Sequence, residues 1–161
     1  MTNTSARPGL HAFAFQTGAW RVSHRKLKDR LAGSTEWTEF EGTCSAWELL
    51  DGAGNVDDYF MDDPSGAYHA TTVRCLAPTE DKWSIWWFDG RSPRLLPPVH
   101  GNFQNNVGTF LGDDMLGDRP IVVRFLWTLV SPSHAMWEQA FSPDRGATWE
   151  TNWTMRFDRA A

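Results

Sequence analysis

Trp83-Ser84-Ile85-Trp86-Trp87-Phe88-Asp89-Gly90 is the stretch whose reading decides the fold. It is shorter than an ordinary helix, rich in aromatic and β-branched side chains, and stops at an Asp-Gly turn signal, so it reads as a strand. Trp83, Ile85 and Trp87 fall on one face, Trp86 and Phe88 on the other. A strand wetted on one side alternates with polar residues, whereas here both faces call for apolar cover. One face suits a core or pocket, and the other suits a second sheet, a helix or a partner chain.

Working outward, similar segments recur between turn signals with no convincing helix among them. Met1 to Leu10 reads as a disordered lead-in, and His11 to Gln16 as one helical turn. Gly18 opens a strand that puts Trp20, Val22 and His24 on one face; a basic run from Lys26 to Arg30 and a turn at Ala32-Gly33-Ser34 follow. Thr35 to Leu50 is a long strand, in which Gly42 suggests a bulge or bend. Asn55–Asp62, Tyr68–Leu76, Val99–Gln104, Val107–Asp113, Ile121–Leu129, Ala135–Ser142 and Thr148–Asp158 bring the total to about ten strands, and sequential hairpins of this kind close into an antiparallel up-and-down β-barrel.

The 161 residues suffice for one domain, from residue 11 to 161, around one core. A net charge of −5 argues against a general nucleic-acid or anionic-membrane surface, and no apolar run approaches the roughly 18 residues of a membrane span. No secretion signal is read at the N-terminus, which points to the cytoplasm. Cys44 and Cys75 then read as free thiols, and no Cys/His spacing suggests a metal site. Ten tryptophans are the anomaly: so much aromatic volume suggests an internal cavity or an interface, including a possible homodimer.

Gly18-Ala19-Trp20, entered from a short apolar turn, resembles the Gly-x-Trp opening of the lipocalin and calycin superfamily, in which the Trp packs across the closed end of the barrel. Leu49-Leu50-Asp51-Gly52 sits where many such domains carry a Leu-Leu-x-Gly turn. The pattern is similar to uncharacterised bacterial lipocalin-like domains and covers most of the chain. The resemblance implies a central cavity for a small apolar or aromatic molecule. Ser142-Pro143-Asp144-Arg145-Gly146-Ala147-Thr148-Trp149 also resembles the Asp-box of sialidase propellers. It occurs once in a chain too short for a propeller, so it reads as a turn device: Asp144 caps, Gly146 supplies positive φ and Trp149 packs beneath.

Candidate chemistry is sparse. Of five histidines, His24 shares a face with Trp20 and reads either as a core histidine or as a general acid/base. Nitrobindins, ten-stranded barrels of similar kind, ligate haem through a histidine near the C-terminus; the nearest histidine here, His134, falls by a turn. Asp89 continues the Trp83–Trp87 face, as a carboxylate at a pocket mouth or as ordinary turn chemistry. Asn55 and Asp57 share one face of an acidic strand start that reads as solvated. Arg124 and Glu138 are placed to pair across neighbouring strands. Trp127, Trp137, Trp149 and Trp153 suggest one aromatic wall built with Trp83 and Trp87.

No nucleophile elbow, phosphate loop or paired-carboxylate motif appears, and no cofactor is expected. The leading expectation is a module binding a small hydrophobic or aromatic molecule against Trp20, Trp83, Trp87, Trp127, Trp137 and Trp153. The alternatives are a cofactor-free cyclase or isomerase using His24 or Asp89, a haem-binding barrel, and a structural protein whose tryptophans fill a core and a dimer interface.

Overall fold

The computed structural model describes residues 7–161. Ten antiparallel strands form a closed barrel in chain order: β1 (Gly18–Leu27), β2 (Trp37–Leu49), β3 (Gly54–Met61), β4 (Tyr68–Leu76), β5 (Trp83–Asp89), β6 (Val99–Gln104), β7 (Val107–Leu116), β8 (Arg119–Ser131), β9 (His134–Ser142) and β10 (Glu150–Arg159). β1 pairs with β10 to close the ring, with Trp20 opposite Arg159. Strands β7 and β8 run further than their sequence pattern suggests. Gly117 takes a left-handed turn between them, and Pro120 is tolerated near the start of β8.

The helical turn expected before β1 is a 3₁₀ turn, Ala14–Gln16, and it lies across the closed end. Part of the expected disordered lead-in, residues 1–6, is outside the described residues; the rest of it is fixed. Arg7 donates to the Ala77 carbonyl, Gly9 N–H to Asp81 Oδ1 at 2.8 Å, and Trp83 Nε1 to the Gly9 carbonyl at 3.0 Å. Phe13 is the hub of this plug, edge-on to Trp83 and Phe103 and packed on Phe110, and burying a side chain of its size contributes about 1.5–3 kcal/mol. His11 N–H bonds the Gly52 carbonyl, and the His11 ring occupies the place a side chain at Gly52 would need.

Of the bulge or bend expected at Gly42, the bulge is absent, since the register runs through without a shift. The glycine is required by crowding instead: a Cβ there would lie 2.4 Å from the Phe60 carbonyl oxygen and 3.1 Å from His24 Nε2. Register shifts sit instead in β10, between Thr151 and Trp153, and in β8, between Leu129 and Ser131.

The two faces of β5 meet different surroundings. Trp83 and Ile85 are buried in the core, while Trp86 and Phe88 point outward and are half-buried. Trp86 ends an outer row, Trp47–Val56–Val73–Trp86, that runs across β2 to β5. On its other edge β5 pairs with β6 only from Trp83 to Ile85, against Val99–Gly101. Beyond Ile85 that side of the barrel is bordered by the Arg91–Pro98 connection.

Candidate functional site

Alternation along the strands sends a polar set inward near the closed end. Asp57 is fully buried: its Oδ1 accepts the Thr72 N–H at 2.7 Å, and its Oδ2 accepts from Gln16 Nε2 at 3.0 Å and Arg74 Nη2 at 2.8 Å. Arg74 also donates to Asn55 Oδ1 and stands 4.9 Å over the Phe13 ring. The strand start expected to be solvated is therefore an internal ion pair, because Asn55 falls opposite Arg74, and Asp57 opposite Thr72, in the β3–β4 ladder. Beside it burial pushes the Cys44 thiol and the Tyr59 hydroxyl well above their ordinary ranges, so both stay protonated. Cys44 and Cys75 are both free thiols.

The open end is different. A cavity of about 290 Å³ opens between the β1–β2, β5–β6 and β7–β8 connections. Its walls are Trp87 from β5, Phe125 from β8, Trp137 and Phe141 from β9, and Trp153 from β10. Trp153 meets Trp87 and Trp137 nearly at right angles, with ring centroids 5.4 and 5.3 Å apart. Such edge-to-face packing fixes three large planes without closing the space between them.

The mouth is polar. Lys26 is the last inward side chain of β1 before the loop. Its Nζ donates to Tyr68 Oη at 2.6 Å, lies 3.7 Å from Asp63, and stands 4.2 Å over the Trp153 ring. Burial lowers its pKa from 10.5 to about 8; Asp63 opposes that shift, and Arg91 and Arg30 add to it. Burial likewise pushes Tyr68 up to about 12. Asp89 lines the cavity and also caps its turn: it takes the Arg91 N–H and Nε on Oδ1 and Nη2 on Oδ2. Burial opposes its ionisation, but the Arg91 hydrogen bonds outweigh that and hold the carboxyl below its usual range.

The tryptophans expected to form one wall are split by height along the barrel. Trp87, Trp137 and Trp153 surround the cavity. Trp127 lies below them, beside a void of about 10 Å³ that Trp87 and Trp137 also line, and it packs on Phe157 and Phe15. Trp83 belongs to the closed-end plug. Trp20 does too, donating from Nε1 to the Gln16 carbonyl at 2.7 Å beneath the Arg159 guanidinium, as the Gly-x-Trp resemblance implies. Trp149 lies outside, under Arg124, which pairs with Glu138 across the strands at 3.8 Å. The Asp-box is the turn device expected: Asp144 accepts from Thr148 N and Oγ1, and Gly146 has φ +92.

His24 does not line the cavity. It stacks on Phe40 at 4.6 Å, its Nδ1 accepts from Trp153 Nε1 at 3.3 Å, and burial, with Lys26 adding, lowers its pKa to about 3. It is a neutral ring at physiological pH, and with Nδ1 accepting from Trp153 its one N–H is on Nε2. His134 starts β9 at the closed end, bonded to Asp158. The cavity wall holds no histidine, so the histidine ligation that the nitrobindin likeness implies has no candidate there. Among the described residues no group of three or more His, Cys, Asp or Glu side chains is placed to hold a metal, and no helix is long and apolar enough to cross a membrane.

With ring closure, strand order and the Trp20 plug in view, the architecture has a name. The fold is lipocalin-like. No protein-family model matches the chain, and no curated protein matches it. Among solved structures it is similar to an S-type phycobiliprotein lyase, CPES, from Guillardia theta. The TM-score is 0.63 and the identity 14%, over 93% of this chain and 91% of that one. At that identity the likeness establishes the lipocalin-like barrel and no more.

Proposed function

We propose that this barrel binds a small hydrophobic or aromatic molecule in the cavity walled by Trp87, Trp137 and Trp153, in the cytoplasm. The observation that carries the reading is the cavity itself: the Trp153 indole, nearly perpendicular to both Trp87 and Trp137, frames with them about 290 Å³ that no side chain fills. An engineered cavity of about 150 Å³ takes one benzene, so a ligand of about two fused rings is the natural size. Two free thiols accord with a reducing compartment. The lipocalin-like neighbour is described as a phycobiliprotein lyase; its architecture supports a ligand-holding barrel, and its activity is not carried over. The outer row from Trp47 to Trp86 is taken as the seat of a second copy, a part that a monomeric sedimentation mass removes.

The test uses calorimetric titration with 2-naphthamide. Trp87→Ala weakens binding while the thermal melt stays cooperative if Trp87 is a ligand wall. An unchanged affinity, or a variant that no longer folds, assigns Trp87 to packing.

An enzyme of the isomerase or cyclase kind is the second reading, and one observation favours it. Lys26 lines the cavity and titrates near 8 beside the Tyr68 hydroxyl, which His24 and Asp89 cannot match. Turnover of a bound ligand should then follow one ionisation near that pH and vanish in Lys26→Met.

A further inference from the structure

The cavity opens into a broader, shallower vestibule formed by the β1–β2 and β3–β4 connections. Three side chains line both spaces, and so stand at the throat between them: Lys26, Arg30 and Arg91. All three are cationic in a chain whose net charge is −5. Arg91 is committed, clamped on Asp89 and laid 3.7 Å over the Tyr68 ring. Lys26 has one of its three donors committed at hydrogen-bond distance, to Tyr68.

Arg30 is the uncommitted one. Its guanidinium stands 5.3 Å over the Phe141 ring in the cavity wall and makes no hydrogen bond or ion pair among the described residues. It is nevertheless held in place, because the next residue, Leu31, donates its N–H to Glu150 Oε1 at 2.6 Å and so ties the loop to β10. Burial above all, with Arg91 adding, disfavours its charge; Tyr68 and the Glu150 carboxylate, which already accepts the Leu31 N–H, oppose that shift without pairing with the guanidinium. The carboxylates that share the cavity lining do not supply a counter-ion. Asp89 is taken by Arg91, Asp114 accepts the Met115 N–H, and Asp113 points outward from β7 and is exposed.

We propose that the ligand is an acid, an aromatic or hydrophobic carboxylate whose rings lie among Trp87, Trp137 and Trp153 and whose anionic group is bound at the throat by Arg30, with Lys26 beside it. This rests on the reading that the cavity holds a small aromatic molecule, and adds the charge that molecule carries. A planar guanidinium with free donors matches a carboxylate bidentately, and the low-dielectric aromatic surroundings strengthen the bond. The cationic throat also draws anions inward past an otherwise acidic surface.

The experiment compares 2-naphthoate with 2-naphthamide, which share their rings and differ in charge, by calorimetric titration of the whole protein. The naphthoate should bind about tenfold tighter or better, the margin of one hydrogen-bonded charge. Arg30→Gln should remove that margin and leave the amide affinity as it was. Arg25→Gln deletes an equal charge on the outer face of β1 and should change neither, which separates the site from net charge. Arg30 lies in a loop and its guanidinium makes no hydrogen bond among the described residues, so its variant should fold, and a melting curve checks that. Equal affinities in the wild type, or equal weakening of both probes in Arg30→Gln, overturn the acid and leave the cavity reading standing. Failure of both probes to bind removes the cavity reading and the acid with it.

Discussion

Lys26 and Lys28 are two residues apart and face opposite worlds. Lys26 is surrounded by Trp153, Phe40, Tyr68 and Asp63, whereas Lys28 is solvated and bonded to Glu36 at 2.7 Å, which raises its pKa. Trace acetylation followed across pH should give Lys26 a midpoint near 8 and Lys28 one above its ordinary value; coincident curves would contradict the buried cage. His24 carries a second pH dependence. Its pKa is about 3 when folded and 6.5 when unfolded, so the unfolded chain binds the extra proton between those values. The His24 contribution is constant above pH 6.5 and stability falls as the pH drops from there toward 3, by about 1.4 kcal/mol per unit within the window. His24→Phe, which retains a ring against Phe40, should flatten that part of the urea-measured pH profile. An inward His24 was legible in the chain itself, but the roles of Lys26 and Arg30 were not. The chain shows only a basic run from Lys26 to Arg30 ahead of a turn, and it takes the barrel to bring Lys26, the last inward position of β1, and Arg30 together at the throat.

At the scale of elements, strand limits were legible because turn chemistry and aromatic alternation mark them: Tyr68–Leu76 and Val99–Gln104 coincide with β4 and β6. The inner face of β1 was legible for the same reason. Height along the barrel was not, because it depends on how far each strand is sheared against the next, and that decides whether a tryptophan meets the plug or the cavity. The internal ion pair was hidden for a related reason. Acidic residues at a strand start look wetted until pairing brings Asn55 opposite Arg74 and Gln16 arrives from another segment. Arg74→Met strands the Asp57 carboxylate in a dry interior, so urea unfolding should show a loss of about 3–5 kcal/mol. A change below 1 kcal/mol, roughly that of an exposed pair, would mean that water reaches Asp57.

For the whole molecule, the barrel is uneven around its circumference. β7, β8 and β9 pair along nearly their full lengths, while β5 and β6 share only the Trp83–Ile85 stretch. Local opening starts where ladder bonds are fewest. Hydrogen exchange should therefore be faster in β6 and the Arg91–Pro98 connection than in β8 and β9, and 2-naphthoate should slow it there first. Uniform protection around the ring would show that the seam is not the entrance.

The pairing of β1 with β10 bears on how the protein is made. Trp20 finds Arg159 only after nearly the whole chain has left the ribosome, and until then β1 and whichever strand was synthesised last both present unpaired edges to any neighbouring nascent chain. A ring closed by its first and last strands has high contact order and folds in milliseconds to seconds, the slow end of the range. Loss of the last few residues would thus shorten β10 and also leave the start of β1 unpaired on one of its two edges. Such a truncated chain should accumulate as aggregate rather than as a loosened monomer.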